Sequence, residues 1–191
     1  MKTKEAIEKR RTIRRFKQKS VSNDEIRELL DAARLASSGG NMQQIRFHVI
    51  QKNDVVKQVF DTTLWAAFVK PNRTPEWGKN APLSFILLTG PENAGSLICA
   101  DAGAAIENMQ LCATEMGVGC CWIGSFGKEK VSTILSLPED MEALYLLAVG
   151  YPDESPIQED IDINGSPKYY LDEDDCLHVP KYTVDALTEW I

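Results

Sequence analysis

Apolar and polar positions along this chain change period several times, and each period predicts an element. Behind Ser22, with Glu25 three residues on, Ile26, Leu29, Leu30, Ala33 and Leu35-Ala36 recur at helical spacing. The serine hydroxyl and the glutamate carboxylate can each satisfy one free amide at the helix start, and the pattern predicts a helix ending in the Ser38-Gly39-Gly40 turn. A shorter helix is expected over Thr3 to Lys9, a strand over Phe47 to Ile50 and a surface helix over Val55 to Phe60.

The second half is more apolar. Ser84 to Thr89 is a short hydrophobic run bounded by Pro82 and Gly90-Pro91, the pattern of a buried strand. From Ser96 to Met116 the residues Ile98, Ala102, Ala105, Ile106, Met109, Ala113 and Met116 share one face, and Gly117 stands ready to end the helix. The small residues in that stripe permit close packing, so the segment reads as a buried central helix. Cys120 to Ile123 and Leu144 to Val149 suit two more strands, with a Val131 to Leu135 helix between them. Pro71 to Pro82, with three prolines, Trp77 and Gly78, excludes continuous regular structure and reads as a mobile loop over a pocket. From Ser155 on, the chain is acidic and irregular, apart from an expected strand at Tyr169 to Leu171 and a last helix from Val184 onward.

Helices interleaved with short strands favour an α+β sandwich, a mixed sheet packed with helices around the long central one, over a strictly alternating doubly wound sheet. At 191 residues, 43% of them hydrophobic, one domain is the simplest organisation.

Net charge is -7, which argues against nucleic acid or an anionic membrane as a partner. Its distribution is uneven. Through Arg46 there are 12 Lys and Arg against 6 Asp and Glu, a local +6, and the remainder carries 9 against 22, or -13. No apolar stretch has the length of a membrane span, and Cys99, Cys112, Cys120, Cys121 and Cys176 form no Cys-x-x-Cys spacing or paired framework. A cytoplasmic, reducing location is the expectation.

The basic excess centres on Arg10-Arg11-Thr12-Ile13-Arg14-Arg15, whose guanidinium forks and hydroxyl suit phosphate oxygens. Some twenty residues later, Ala36-Ser37-Ser38-Gly39-Gly40-Asn41-Met42-Gln43 offers open backbone amides and hydrogen-bonding side chains. Together they point to a phosphorylated cofactor. Other chemistries find little support. The two histidines, His48 and His178, have no ligand spacing to another His or to Cys, so no metal centre is expected. Gly117-Val118-Gly119 ends a helix and opens a strand, the reverse of a dinucleotide fingerprint. No Gly-Lys-Ser or Gly-Lys-Thr phosphate loop occurs. Adjacent Cys120 and Cys121 point to opposite faces of a strand and read as packing residues. Asp172-Glu173-Asp174-Asp175 lacks the spacing of a calcium loop and reads as a solvated turn.

In order and separation these segments resemble the nitroreductase family of FMN-dependent oxidoreductases. The resemblance rests on Arg10 to Arg14, on Ala36 to Gln43, on Gly117-Val118-Gly119-Cys120-Cys121-Trp122-Ile123-Gly124 and on His178-Val179-Pro180-Lys181. It implies that Arg10, Arg11, Thr12 and Arg14 hold the FMN phosphate and ribityl chain, with Lys181 adding a phosphate contact. Ser37, Ser38, Gly39, Asn41 and Gln43 would reach the flavin from a partner subunit. Trp122, Ile123, Gly124 and Ser125 would run beside the ring, with the amides of Gly124 and Ser125 at its reactive nitrogen. It further implies a homodimer, NADH or NADPH as reductant, and nitroaromatic, quinone-like or other electron-poor small molecules as acceptors. No catalytic side chain is needed, because the flavin carries the chemistry. Specificity is expected from loops, including Thr63 to Lys79. The chain departs from the family pattern with Ser37 for a typical proline, Gln44-Ile45 for Pro-Trp, and Thr183 where some relatives have arginine. These departures motivate one alternative, a non-catalytic flavin-binding or carrier protein.

Overall fold

The computed structural model describes residues 1–69, 73–92 and 95–191. The elements in order are α1 (Thr3–Lys9), α2 (Asn23–Arg34), β1 (Arg46–Ile50), α3 (Asn53–Phe60), β2 (Ser84–Pro91), α4 (Leu97–Glu115) and β3 (Gly119–Ile123). They continue with α5 (Lys128–Leu135), β4 (Met141–Gly150), β5 (Ile157–Ile161), β6 (Tyr170–Leu171), β7 (Leu177–Tyr182) and α6 (Val184–Leu187). One antiparallel sheet runs β1-β2-β4-β3, and a three-stranded sheet runs β5-β7-β6, with β5 parallel and β6 antiparallel to β7.

Strand β2 explains the layering. Its residues from Ser84 to Gly90 are buried, and because successive side chains face opposite ways they feed two separate cores. Phe85 and Leu87 join Leu146, Ala148, Val56, Val59 and Val131 on the side of α3 and α5. Ile86 and Leu88 join Leu147, Val149, Leu29 and the Ala102–Ala105–Ile106–Met109 stripe of α4 on the other. The α+β sandwich around a long central helix is therefore the observed architecture.

The Ser22–Glu25 capping box forms as expected: the Ser22 Oγ accepts from the Glu25 amide at 3.2 Å, and the Ser22 amide donates to Glu25 Oε2 at 2.8 Å. Such a cap is worth about 1 kcal/mol. The other end differs from the expectation. Helix α2 stops at Arg34, and Gly39–Asn41 is a separate single turn in which Gly40 and Asn41 take left-handed φ values of 56° and 57°. The Gly39 amide donates to Asp101 Oδ1 at 2.9 Å, so this turn is fastened to α4 rather than continuing α2.

The acidic stretch beyond Ser155 is more ordered than its composition suggests. Leu177 is wholly buried and anchors β7, which draws β5 and β6 to its two edges. Conversely the last helix is a single turn, capped by Thr183 on the Ala186 amide. Val184 and Leu187 are exposed, so no packing repays propagation of that helix. Lys70, Pro71, Asn72, Asn93 and Ala94 lie outside the described residues. The expected loop is seen from Arg73 on, as irregular chain and turns to Pro82. Among the described residues no helix is long and apolar enough to cross a membrane.

Candidate active site

The arginine segment lies as an extended chain along β3. The Ile13 amide donates to the Cys120 carbonyl at 2.9 Å, and Thr12 bridges Cys120 in parallel register. This close approach needs Gly119, because a Cβ there would fall 2.6 Å from Ile13 Cγ1. Extension sends neighbouring side chains to different places. Ile13 enters the core, Arg10 pairs with Glu107 of α4 at 3.4 Å, and Arg15 pairs with Asp175. Arg11 lines a groove beside Gly117, Val118 and Gly119. Arg14 alone of the four arginines enters the cavity that holds the expected flavin-edge residues.

That cavity measures about 260 Å³ and is walled by Arg14, Leu64 to Ala67, Cys121 to Ser125 and Tyr169. The Arg14 guanidinium lies over the Tyr169 ring, 4.9 Å from its centroid, which holds a cation in the cavity wall. The same wall continues where the chain leaves β3 after Ile123. Gly124 and Ser125 are exposed, and no acceptor among the described residues takes their amide hydrogens. The Ser125 carbonyl accepts from the Leu64 amide at 2.9 Å and Gly127 donates to the Thr62 carbonyl at 3.0 Å, so both amides project from a fixed turn. A Cβ on Gly124 would meet only the Tyr145 ring, at 3.8 Å and beyond. Trp122 packs edge-on against Tyr145, with ring centroids 5.1 Å apart.

The second motif is elsewhere. Ser37, Ser38 and Gln43 line a different cavity, of about 200 Å³, with Arg34, Asp101 and Ala105. Gly39 borders it through Asp101, and Ser38 Oγ accepts from the Gln43 amide at 3.3 Å. Asn41 is exposed on the turn. Lys181 lies on β7, exposed and in register with Asp160, and lines neither cavity.

Sequence reasoning missed a buried ion pair that positions Arg14. Arg73 Nε lies 3.0 Å from Glu154 Oε2, with both side chains at most 4% exposed, and Arg73 also reaches Asp175 Oδ1 at 2.7 Å. The other oxygen of Glu154 accepts from the main-chain amides of Arg14 and Arg15. Arg73 sits in the proline-rich run, where nothing local marks it for burial. Tyr169 was legible only as a strand residue.

Both strand cysteines and both histidines have pKa values shifted by their surroundings. Desolvation pushes the Cys121 thiol up to about 11 and Cys120 higher still, so both are protonated packing residues. Burial lowers the pKa of His48, whose Nε2 lies 3.0 Å from Thr89 Oγ1. Hydrogen bonds to Asp172 and Glu159 raise that of His178. Neither histidine lines the Arg14 cavity.

The sequence profile of the nitroreductase family matches residues 7–151. The chain belongs to the nitroreductase family. An NADPH-dependent oxidoreductase of Staphylococcus haemolyticus is 28% identical over 94% of this chain and 74% of its own length. In fold, the chain matches a nitroreductase family protein of Clostridium novyi NT with a TM-score of 0.67 at 24% identity, covering 81% of this chain and 87% of that one. It also matches an FMN-dependent nitroreductase of Clostridium difficile R20291 with a TM-score of 0.63 at 22% identity, covering 78% and 87%.

Proposed function

We propose that this nitroreductase-family chain is a single-domain, FMN-dependent NAD(P)H oxidoreductase that acts on electron-poor small molecules such as nitroaromatics and quinones. The observation that carries the reading is the Arg14 cavity, whose wall combines a guanidinium with the Gly124 and Ser125 amides, unpaired among the described residues. Phosphate suits the guanidinium, and a ring that becomes electron-rich on reduction suits the amides. When bound, FMN supplies two-electron transfer between a nicotinamide and an acceptor. The chain's part is to hold it. Arg14 neutralises phosphate charge, Thr12 precedes it on the same extended segment while Arg10 stays paired with Glu107, and Trp122 and Ile123 form the wall beside the ring. Gly124 and Ser125 present fixed dipoles that do not titrate near neutrality.

Cavities of about 260 and 200 Å³ are each small beside the 300–1,000 Å³ of ordinary cofactor pockets, and one chain keeps them apart. Two chains related by a two-fold axis can bring one half from each together, with Ser37, Ser38, Gly39, Asn41 and Gln43 facing the partner's Arg14 cavity. Exposed apolar side chains flank both halves: Leu35 and Met42 beside one, Leu64, Phe68 and Trp122 beside the other. This supports a homodimer with FMN at the interface.

The test is FMN titration of the purified protein, sedimentation, and anaerobic mixing with NADH or NADPH followed by a panel of acceptors. A yellow dimer bleached by one nicotinamide and reoxidised by an acceptor is expected. A colourless protein that takes up no FMN overturns the reading, and a yellow protein that neither nicotinamide bleaches is a carrier instead.

A further inference from the structure

Away from the Arg14 cavity, the small sheet gathers three different ligand types. Asp172 follows β6, Cys176 precedes β7 and His178 lies on β7, and one ligand atom of each falls within 4.8 Å of the others. The sequence separates them by four and two residues, and only the turn between β6 and β7 closes the set. Two amides of that turn, those of Asp174 and Cys176, donate to Asp172 Oδ1 at 3.0 and 2.8 Å, fixing the carboxylate while Oδ2 faces His178 Nε2 at 2.8 Å. The Cys176 thiol has one weak contact, to the Ser155 carbonyl at 3.7 Å.

The imidazole is held as a ligand would be. Its Nδ1 lies 2.6 Å from Glu159 Oε1 on β5, and its ring stacks on Tyr170, with centroids 4.8 Å apart and planes at 12°. The Tyr170 hydroxyl in turn donates to Glu159. A carboxylate on the far ring nitrogen fixes the tautomer and directs the other nitrogen outward, the usual support of a metal-bound histidine. Both ring nitrogens of His178 face carboxylates, Nδ1 toward Glu159 and Nε2 toward Asp172. A cation bound at Nε2 leaves Nδ1–H to donate to Glu159.

We propose that Asp172, Cys176 and His178 bind a zinc-type divalent cation, with Glu159 as the carboxylate that orients His178. Nitrogen, thiolate and carboxylate together select zinc over calcium or magnesium, which take oxygen ligands. Tetrahedral bonds of about 2.0 to 2.3 Å place ligand atoms about 3.4 to 3.6 Å apart, so the set tightens by less than a bond length on the sulfur side and opens slightly between Asp172 and His178. Three protein ligands leave water the fourth position. The cation ties β6 to β7 and, through Glu159, to β5.

The experiment is calorimetric titration of the full-length protein with Zn2+ alone, paired with Co2+ difference absorption. We expect one Zn2+ per chain at micromolar or tighter Kd and a thiolate-to-cobalt charge-transfer band. Cys176→Ser removes that band and weakens Zn2+ at least tenfold. His178→Gln does the same to affinity, and Glu159→Gln, whose residue makes no bond to the cation, weakens it about tenfold or more while keeping the band. Cys112→Ser, at a half-buried thiol in another layer, changes neither. Absence of stoichiometric binding overturns the proposal, and so does binding that survives Cys176→Ser and Glu159→Gln unchanged. Circular dichroism of the Cys176→Ser protein separates a lost ligand from a lost fold.

Discussion

The Nε of Arg73 and the Oε2 of Glu154 form a buried ion pair at 3.0 Å, and Glu154 uses its second oxygen to hold the main chain of Arg14 and Arg15. One carboxylate thus joins the loop that carries Arg73 to the segment that delivers a cation to the candidate cofactor site.

Removing that carboxylate strands a buried guanidinium. Glu154→Ala is expected to lower unfolding free energy by about 3 to 5 kcal/mol, read by urea denaturation, and to loosen FMN binding because Arg14 loses its backbone anchor. Full stability in that variant would show that Asp175 alone satisfies Arg73.

The four arginines should separate in function as they do in space. Arg14→Ala is expected to weaken FMN binding by about 1.5 to 3 kcal/mol, the scale of a lost charge-assisted hydrogen bond. Arg11→Ala, in the groove by Gly117 to Gly119, should change it far less, and Arg10→Ala should fall between. Fluorescence titration with FMN orders the three, and equal losses would contradict the placement.

Gly124→Val is expected to fold normally, since a Cβ there meets only Tyr145 ring carbons, at ordinary contact distance. It should nonetheless impair flavin reduction more than His48→Ala or His178→Ala, each of which leaves the rate within about tenfold, or about 1.4 kcal/mol of barrier. Anaerobic stopped-flow at saturating NAD(P)H makes the comparison. A normal rate for Gly124→Val beside a large loss at either histidine would assign the chemistry to a side chain.

His48 should leave a signature in stability. Burial lowers its pKa, so in the unfolded chain the ring protonates near about 6.5 while in the folded protein it stays neutral to lower pH. Its contribution is complete above that value and declines as pH falls from about 6.5 toward the folded pKa. Thermal melts of wild type and His48→Gln at pH 8 and pH 5 should show the wild type losing more on acidification. Parallel losses would mean that the ring is solvated in the fold.

What the sequence made legible was local. Ser22 and Glu25 announce their own capping box, and the stripe from Ile98 to Ala113 announces a buried helix, because both depend on neighbours three or four residues away. Strand β5 was hidden because Gln158, Glu159 and Asp160 carry little apolar signal, and its partner β7 comes sixteen residues after it ends. Arg73 was hidden for the same reason, since its partners lie 81 and 102 residues onward. Of the site, the residue types were readable and their separation was not. Nothing in the spacing of Arg10, Arg11 and Arg14 tells which one an extended chain turns into a cavity.

The segment from Thr12 to Lys17 is stitched to chain synthesised much later: Ile13 to Cys120, Arg15 to Asp153, Lys17 to Tyr151, and Arg15 again to Asp175. During translation each of these partners emerges more than a hundred residues after the segment that needs it. The segment therefore stays without its native partners while the chain between is made, and its extended shape is a product of late tertiary pairing rather than of local sequence.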